Sequence, residues 1–389
     1  MLNFSINKDE LLHCASMAAN VAIKEKYFAL LSNILIQARS GVLNFEANTM
    51  DISVSCSVIV DNVTDLNICL DAKLFYNIIK KCDSDTFNIQ IDRDKNVLII
   101  RNGNSRYNLI YINGADYPAR FYPKNDSVFF TLDRKDFSLA IQKVLFCTLN
   151  AGRASDGVFI KFGDELIDFV ATDGKRMSVF SIKNSTEYTD QIQINKKSCE
   201  KILKLIEGEG DIEVCVDLES VEENLKRLFI KFDNTMISLP LSRDNLYIDY
   251  KKVLEDQVDK SFPILVDKKS LTSAVQRLLL LCEPSSSEDK IPYSGTITVK
   301  ENMLELETDN FNTGSAIEKV VANCKEQENI DDNSITIDYG YLASFLSKVK
   351  NDLALYISRK KNRELLFLEE RNLTERGYCG IIMSINKVA

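Results

Sequence analysis

Three similar stretches decide the fold: Phe4-Ser-Ile-Asn-Lys-Asp-Glu-Leu11, Phe130-Thr-Leu-Asp-Arg-Lys-Asp-Phe137 and Ile264-Leu-Val-Asp-Lys-Lys-Ser-Leu271. Each is a short β-rich run followed by an Asn or Asp that can cap a helix, by two polar residues and by the start of an apolar stripe. The second stretch begins 126 residues after the first, and the third begins 134 residues after the second. The spacing predicts three tandem domains in this chain of 389 residues, at 1–126, 127–256 and 257–389.

Each repeat contains a second copy of the same pattern near its middle. These copies begin at Leu70-Asp71, Ile194-Asn195 and Ile337-Asp338. At all six places the residues that follow are apolar or small at i, i+3, i+4 and i+7, which indicates a helix with one buried face. Between the helices, apolar and polar residues alternate as they do in strands. The predicted unit is β-α-β-β-β, used six times to build three α+β domains.

Composition excludes several classes of function. The chain has one histidine, His13, and ten cysteines that form no CxxC pair, so we expect no metal site, no cofactor and no Ser-His-Asp centre. We expect His13 to lie on the surface of a helix. The ten cysteines look unpaired, which fits a reducing cytoplasm. No apolar run reaches 18 residues and the first residues lack the pattern of an export signal, so we expect no membrane span.

Charge is divided unequally between the helices and the rest of the chain. The net charge is −9, yet the six helix windows hold 16 basic and 8 acidic residues, which leaves −17 for the remainder. These windows are residues 7–20, 71–82, 133–147, 195–206, 267–282 and 338–350. One interpretation is that lysine is a good helix former on an ordinary solvated surface. The other is that the exposed helix faces meet a polyanion while the remaining surface repels it.

The size of a ring of such helices favours two copies around a duplex. Helices pack about 8–10 Å apart, so six in a circle would enclose an opening about 17 Å wide. A nucleic-acid duplex is roughly 20 Å wide, judged from its groove depths. Twelve helices would give about 34 Å, which admits a duplex with a layer of water. A chain with six such helices would need a second copy to surround DNA.

The triple repeat and three further stretches match one known family. The stretches are Val170-Ala171-Thr172-Asp173-Gly174-Lys175-Arg176-Met177, Asp249-Tyr250-Lys251-Lys252-Val253-Leu254 and Ile381-Ile382-Met383-Ser384-Ile385. With them the sequence resembles the bacterial sliding clamps, the β subunits of DNA polymerase III. The resemblance implies three tandem DNA-clamp domains in a head-to-tail homodimeric ring, with helices inside and sheets outside. Such a ring encircles duplex DNA without reading its sequence, tethers polymerase to it and has no catalytic activity of its own.

The resemblance also implies a hydrophobic pocket between the second and third domains. In the family, this pocket binds a short linear peptide of DNA polymerase subunits and of the clamp loader. Apolar side chains accept a leucine or phenylalanine anchor, and polar groups at the rim fix its direction. Carried over by position, the pocket residues are Thr172, Gly174, Lys175, Arg176, Met177, Ile248, Lys252, Val253, Ile381 and Met383. The chain departs from the common family pattern at Ser155, Lys175, Ile248 and Ser384, so the preferred peptide motif does not follow.

Two further sets of residues follow from the resemblance. The expected DNA contacts reach phosphates and carry no base information. They are Lys24, Lys26, Lys73, Lys80, Lys81, Arg153, Lys197, Lys201, Lys204, Lys268 and Arg277. The expected protomer interface joins Tyr107 and Leu109 on a strand of the first domain to Leu280 and Leu281 at the end of a helix in the third. The leucine run that ends this helix exceeds what one buried stripe needs.

Two other functions stay open from the sequence alone. One is a non-encircling DNA-binding or scaffold module, which would be monomeric and would lose DNA steeply with salt. The other is an enzyme in which Asp173, Lys175 and Arg176 handle phosphate and Asp116 or Asp249 acts as a base. No spacing supports a metal pair or a nucleophile for that enzyme.

Overall fold

The predicted half-unit recurs six times in the part of the chain that the structure describes. The computed structural model describes residues 2–24, 27–49, 51–61, 63, 65–124, 127–148, 157–217, 226–242, 249–282, 293–310, 313–324, 333–361, 363–371 and 376–385. The first repeat contains β1 (Leu2–Asn7), α1 (Lys8–Val21), β2 (Asn33–Arg39), β3 (Val42–Asn48) and β4 (Ser53–Ile59), then β5 (Leu66–Asp71), α2 (Ala72–Lys81), β6 (Thr86–Asp92), β7 (Val97–Asn102), β8 (Ser105–Ile110) and the short β9 (Ile112–Asn113).

The other two repeats follow the same order. The second contains β10 (Phe130–Asp133), α3 (Arg134–Val144), β11 (Val158–Phe162), β12 (Leu166–Thr172) and β13 (Arg176–Lys183), then β14 (Gln191–Ile194), α4 (Lys196–Leu205), β15 (Asp211–Asp217), β16 (Arg227–Phe232) and β17 (Thr235–Pro240). An additional helix, α5 (Tyr250–Gln257), precedes the third repeat. The third contains β18 (Ile264–Val266), α6 (Lys268–Leu279), β19 (Ser294–Lys300), β20 (Met303–Asn310) and β21 (Gly314–Asn323), then β22 (Ser334–Asp338), α7 (Tyr339–Leu346), β23 (Leu353–Lys360), β24 (Arg363–Glu370) and β25 (Arg376–Met383).

Side-chain caps set the starts of the helices where the sequence predicts them. Asn7 accepts a hydrogen bond from the main-chain N–H two residues on at 2.8 Å. Asp133 and Asp267 accept from the N–H three residues on, at 2.7 Å and 2.8 Å. A cap of this kind contributes about 1 kcal/mol to the stability of a helix. The positions predicted from an Asn or Asp before an apolar stripe are therefore confirmed for these three helices.

The apolar stripes lie buried, as predicted. In α6 the residues Leu271, Ala274, Val275 and Leu278 are each 0% exposed. α2 likewise buries Ala72, Phe75 and Ile79. Every helix among the described residues is too short or too polar to span a lipid bilayer. One face of each of these two helices is thus used by the core, which leaves the opposite face for charged side chains.

The chain divides into two compact units. Within a repeat, the first strand of each half-unit pairs with a strand of the other half-unit. Unit 1 is Met1–Ser138 with Lys197–Arg243, and unit 2 is Leu139–Lys196 with Asp244–Ala389. In the first repeat, β1 pairs with β6 and β5 pairs with β2. Unit 1 holds a sheet of order β1-β6-β7-β8 and a sheet of order β10-β15-β16-β17-β4-β3-β2-β5-β9. Unit 2 holds one sheet of order β14-β11-β12-β13-β25-β24-β23-β18-β21-β20-β19-β22. The division at residues 126 and 256 stays a prediction, because each unit combines parts of more than one repeat.

Repeats are joined through the last strands of their half-units. In unit 1, β17 pairs antiparallel with β4, and in unit 2, β13 pairs antiparallel with β25. Two last strands are not used in this way in the described residues. β8 is the edge of its sheet, and β21 meets β18 only at Ala322 and Asn323. Most of β21 and all of β8 therefore keep one edge that is open to further strand pairing.

Three features differ from the sequence predictions. α5 was not predicted, because its eight residues lie outside the repeated pattern. His13 lies on α1, as expected, but is only partly exposed, and its Nε2 atom lies 3.0 Å from the hydroxyl oxygen of Thr235, a contact that the sequence did not predict. Cys14 and Cys56 form a disulfide between α1 and β4, so the expectation of ten free thiols was wrong for these two. α1 lies against β4, which brings two inward-facing residues together that are far apart in the sequence.

The burial of His13 predicts a pH effect on stability. Burial lowers the pKa of His13 below its usual 6.5, with a smaller opposing effect from Asp233 and a further lowering by Arg134. The unfolded state then binds the proton more readily, so stability is complete above pH 6.5 and falls as the pH drops through that value. Between about pH 7.5 and about pH 5.5 we expect the free energy of unfolding to fall more for the parent than for His13→Gln. NMR titration of the single imidazole is the direct check, and a pKa at or above 6.5 would contradict the prediction.

Candidate functional site

Four of the predicted pocket residues belong to one apolar cluster in unit 2. Met177 on β13 lies opposite Ile381 on β25 in the strand register, and both are buried. Val253 on α5 and Met383 at the end of β25 are partly buried against the same cluster. Two neighbouring strands and one helix thus supply an apolar surface whose edge reaches solvent. Such a surface suits the apolar anchor of a bound peptide.

The turn between β12 and β13 supplies polar groups beside this cluster. The hydroxyl of Thr172 donates to the main-chain oxygen of Arg176 at 2.8 Å and accepts from the N–H of Gly174 at 3.1 Å. One carboxylate oxygen of Asp173 accepts from the N–H groups of Lys175 and Arg176, each at 3.0 Å. Gly174 has φ of +87°, a left-handed conformation that favours glycine. The turn is therefore held in one shape by its own hydrogen bonds.

Arg176 is fixed on several sides at this turn. Its Nε atom lies 2.9 Å from a carboxylate oxygen of Asp173, and a terminal nitrogen donates to the main-chain oxygen of Phe146 at 2.9 Å. The guanidinium carbon lies 4.2 Å from the centre of the Tyr341 ring. Burial, with Asp173 and Asp338 nearby, raises the pKa of Tyr341, so its hydroxyl stays neutral at physiological pH. A planar cation held in this way presents a fixed direction to a ligand.

The remaining predicted pocket residues lie beside these elements, apart from one. Lys252 is exposed on α5, whose first turn is capped by Asp249 accepting from the N–H of Lys252 at 3.1 Å. Lys175 is exposed, and its main-chain oxygen accepts from the N–H of Met383 at 2.9 Å. Ser384 donates its own N–H to Glu364, so the chain after β25 is also held in place. Ile248 and Ser155 lie outside the described residues.

Tyr341 is a site residue that the sequence did not identify. It comes from α7 and stacks on Arg176, which lies in a different repeat, so no local pattern links the two. Asp173 and Asp249, which the enzyme hypothesis assigned to phosphate handling and to base catalysis, serve here as hydrogen-bond acceptors. Asp173 accepts within the turn, and Asp249 caps α5. Within the described ranges no group of three or more His, Cys, Asp or Glu side chains is placed to hold a metal ion.

The predicted DNA-contact lysines lie mostly on open helix faces. α2 exposes Lys73, Lys80 and Lys81, α4 exposes Lys197 and Lys204, and the segment after α1 exposes Lys24. Lys201 and Lys268 are partly buried. Lys26 and Arg153 fall outside the described residues.

Three of these lysines form a positive cluster in unit 1. Burial lowers the pKa of Lys201, and the nearby charges of Lys204 and Lys73 lower it further. The ammonium group of Lys201 also donates to the main-chain oxygen of Asn20 near the end of α1. Like charges that are close enough to change one another's pKa repel, and an anion bound among these three lysines would relieve that repulsion.

Arg277 differs from the lysines because a carboxylate already engages it. Its Nε and one terminal nitrogen donate to the two carboxylate oxygens of Glu318 at 2.7 Å and 2.8 Å. Glu318 lies on β21, and the sequence gives no sign of this pairing. The charge of Arg277 is thus largely offset inside unit 2.

The predicted interface residues lie on an edge strand of unit 1 and just after a helix of unit 2. Tyr107 and Leu109 are partly exposed on β8, the edge of its sheet. Leu280 follows α6 and is 82% exposed, and Leu281 next to it is partly buried. Apolar side chains thus reach solvent on β8 and just after α6, which is typical of surfaces that bind another protein.

Comparisons with known proteins agree with this architecture. Residues 2–121 match the family model described as DNA polymerase III beta subunit, N-terminal domain. The beta sliding clamp of Rickettsia bellii is 25% identical over 372 residues, covering 92% of this chain and 93% of the relative. The beta sliding clamp of Pseudomonas aeruginosa is 21% identical over 384 residues, covering 95% of this chain and 97% of the relative.

Solved structures show the same fold along the whole chain. The DNA polymerase III subunit beta from Pseudomonas aeruginosa superposes with a TM-score of 0.85 at 18% identity, covering 99% of this chain and 100% of that one. The beta subunit from Thermotoga maritima gives a TM-score of 0.83 at 16% identity, with the same coverage. The predicted α+β clamp fold is confirmed. Over residues 2–121 the chain thus matches the DNA polymerase III beta subunit model, and over nearly its full length it is similar to beta sliding clamps and shares their fold.

Proposed function

We propose that the chain is a processivity factor of DNA replication. Two copies form a closed ring that slides along duplex DNA and tethers DNA polymerase subunits, the clamp loader and other DNA-processing proteins through the peptide pocket. We propose that it acts in the cytoplasm without catalytic activity, cofactor or metal. The observation that carries the proposal is the sixfold half-unit, whose helices bury an apolar face while α2 and α4 expose lysines on the other.

The open strand edges support closure by a second copy. Within each unit, repeats join through antiparallel pairing of last strands, as in β17 with β4 and β13 with β25. β8 and β21 are the last strands left over in the described residues, and pairing β8 of one copy with β21 of another would repeat the same joint. Apolar side chains are exposed on both strands, with Ile110 of β8 at 79% and Ile317 of β21 at 56%, and Leu280 just after α6 is 82% exposed. A head-to-tail contact of this kind forms a ring when the rotation between copies closes.

The lysine faces support DNA contact without sequence reading. Lysine side chains bind phosphates as point charges and carry no base information. Such contacts weaken as salt rises, so they are poorly suited to holding a protein on DNA by affinity alone. A ring is retained by its closure, and weak contacts then allow it to slide. The acidic balance of the rest of the chain disfavours binding of DNA elsewhere.

A topological test distinguishes the ring from the alternative of a non-encircling module. We expect protein loaded by a clamp loader on a nicked circular plasmid to co-elute with the plasmid through gel filtration in high salt. Cutting the plasmid once with a restriction enzyme should release it, because a ring slides off a free end. A module that binds by charge alone would be lost from both forms as salt rises. Equal retention on circular and linear DNA would contradict the ring.

The positive cluster predicts which lysines set the salt dependence. Replacing Lys73 and Lys204 together by Gln should reduce the slope of log affinity against log salt by up to about 2, since each phosphate contact contributes about 0.9. Anisotropy of a short labelled duplex across a salt series measures this slope. The control is Lys183→Gln with Lys231→Gln, two exposed lysines on strands, which changes the net charge equally. If both pairs change the slope alike, the helix faces are not the DNA surface.

The apolar cluster and the fixed arginine predict the effect of pocket variants. Met383→Ala removes part of the apolar surface and Arg176→Ala removes the held cation, so each should weaken binding of a polymerase-derived peptide by about tenfold. Met236→Ala, a partly buried methionine on β17, should leave peptide affinity unchanged. Isothermal calorimetry gives the affinities, and mass in solution checks that association is unaltered. Parent-like affinity of both pocket variants would show that the pocket lies elsewhere.

A further inference from the structure

α5 is a short helix that carries two of the pocket residues. It spans Tyr250–Gln257, only eight residues, and bears Lys252 and Val253. Isolated helices of this length are unstable in water, so α5 depends on contacts outside itself. Apolar packing of Val253 supplies part of this stability, but the hydrophobic effect has no direction and does not fix how the helix is turned about its axis.

A buried carboxylate holds the first turn of α5. The hydroxyl of Tyr250 donates to one carboxylate oxygen of Asp168 on β12. Tyr250 is 2% exposed and Asp168 is 6% exposed. The ammonium group of Lys251 lies 3.6 Å from the same oxygen, and the hydroxyl of Ser181 donates to the other oxygen at 2.6 Å. Both oxygens of Asp168 therefore have partners, which is what makes a buried carboxylate tolerable.

A second buried polar group holds the other end of α5. The hydroxyl of Ser358 on β23 donates to the main-chain oxygen of Gln257 at 2.6 Å and accepts from the N–H of Asp259 at 2.9 Å. Ser358 is 0% exposed. The ammonium group of Lys360 donates to the main-chain oxygen of Val258 at 2.9 Å. α5 is thus tied at its start to a strand of the second repeat and at its end to a strand of the third.

We infer that Asp168 is a positioning residue for the peptide pocket, which it orders through the Tyr250 hydroxyl without touching the peptide. A hydrogen bond weakens steeply away from its preferred angle, so this bond fixes the rotation of α5. That rotation decides whether Val253 packs against the cluster that contains Met177 and Ile381. The inference rests on the proposed function, because it concerns the same pocket.

A carboxylate occupies this buried position, where an apolar side chain is more usual. A well-packed apolar pair in place of a buried charged group is often as stable, so stability alone does not account for a carboxylate here. The directional bond to Tyr250 gives this carboxylate a role that an apolar side chain could not fill. The account therefore predicts that loss of the bond changes pocket order more than it changes overall stability.

The test compares two hydroxyl deletions around the same carboxylate. Tyr250→Phe keeps the aromatic ring and removes the hydrogen bond that ties α5 to Asp168. It should weaken binding of a fluorescent polymerase-derived peptide by about five- to tenfold. Ser181→Ala removes the bond to the other oxygen and leaves α5 tied, so its affinity should stay within about twofold of the parent. Hydrogen exchange gives a second readout. The N–H of Val253, bonded to Asp249 at 3.0 Å, should exchange faster in Tyr250→Phe and at the parental rate in Ser181→Ala.

A conservative variant of Asp168 distinguishes the hydrogen bond that this residue accepts from the negative charge that it carries. Asp168→Asn keeps an oxygen that can accept from Tyr250, and it should retain affinity to within about threefold of the parent. The inference is overturned if Tyr250→Phe binds peptide as the parent does with unchanged exchange in α5, or if Ser181→Ala loses as much affinity as Tyr250→Phe. A parent that binds no peptide at all overturns the proposed pocket, and this inference with it. The first two outcomes leave the proposed function intact.

Discussion

The helices of the repeated half-unit are buried on one side only, and both the core and the charged surface follow from this arrangement. A helix that packs one apolar stripe on a sheet must leave its opposite face to water, and in this chain that face carries lysine on α2 and α4. Repeating the half-unit six times multiplies that arrangement without requiring any single strong charge site. The burial that stabilises the fold is therefore the same feature that sets aside a basic surface, while acidic residues accumulate on the strands and loops.

The sheets add a second constraint, because strand edges must be paired or protected. Two joints between last strands pair edges within the described residues, while β8 and most of β21 keep an open edge. The proposed peptide pocket lies at one of these joints, where β13 meets β25 and α5 packs nearby. In the proposed function, assembly and partner binding would both use the meeting of two last strands.

The sequence predicts the parts of this molecule that local patterns determine. The caps at Asn7 and Asp267 and the stripe of α6 depend on residues within a few positions of each other, so period and spacing reveal them. Contacts between distant residues leave no such pattern. The pairing of Arg277 with Glu318, the stacking of Tyr341 on Arg176 and the contact of His13 with Thr235 all join separate elements. The pocket residues came from family resemblance, and the anchoring of α5 by Asp168 came only from the structure.

Mass in solution gives the sharpest check of the proposed ring, because helix spacing calls for about twelve helices around a duplex and the described part of one chain supplies six of the half-unit type. Sedimentation equilibrium of the full chain across the micromolar range gives this mass without DNA or partners. The account predicts twice the mass of one chain, with no larger open-ended species. A single-chain mass throughout that range would contradict it.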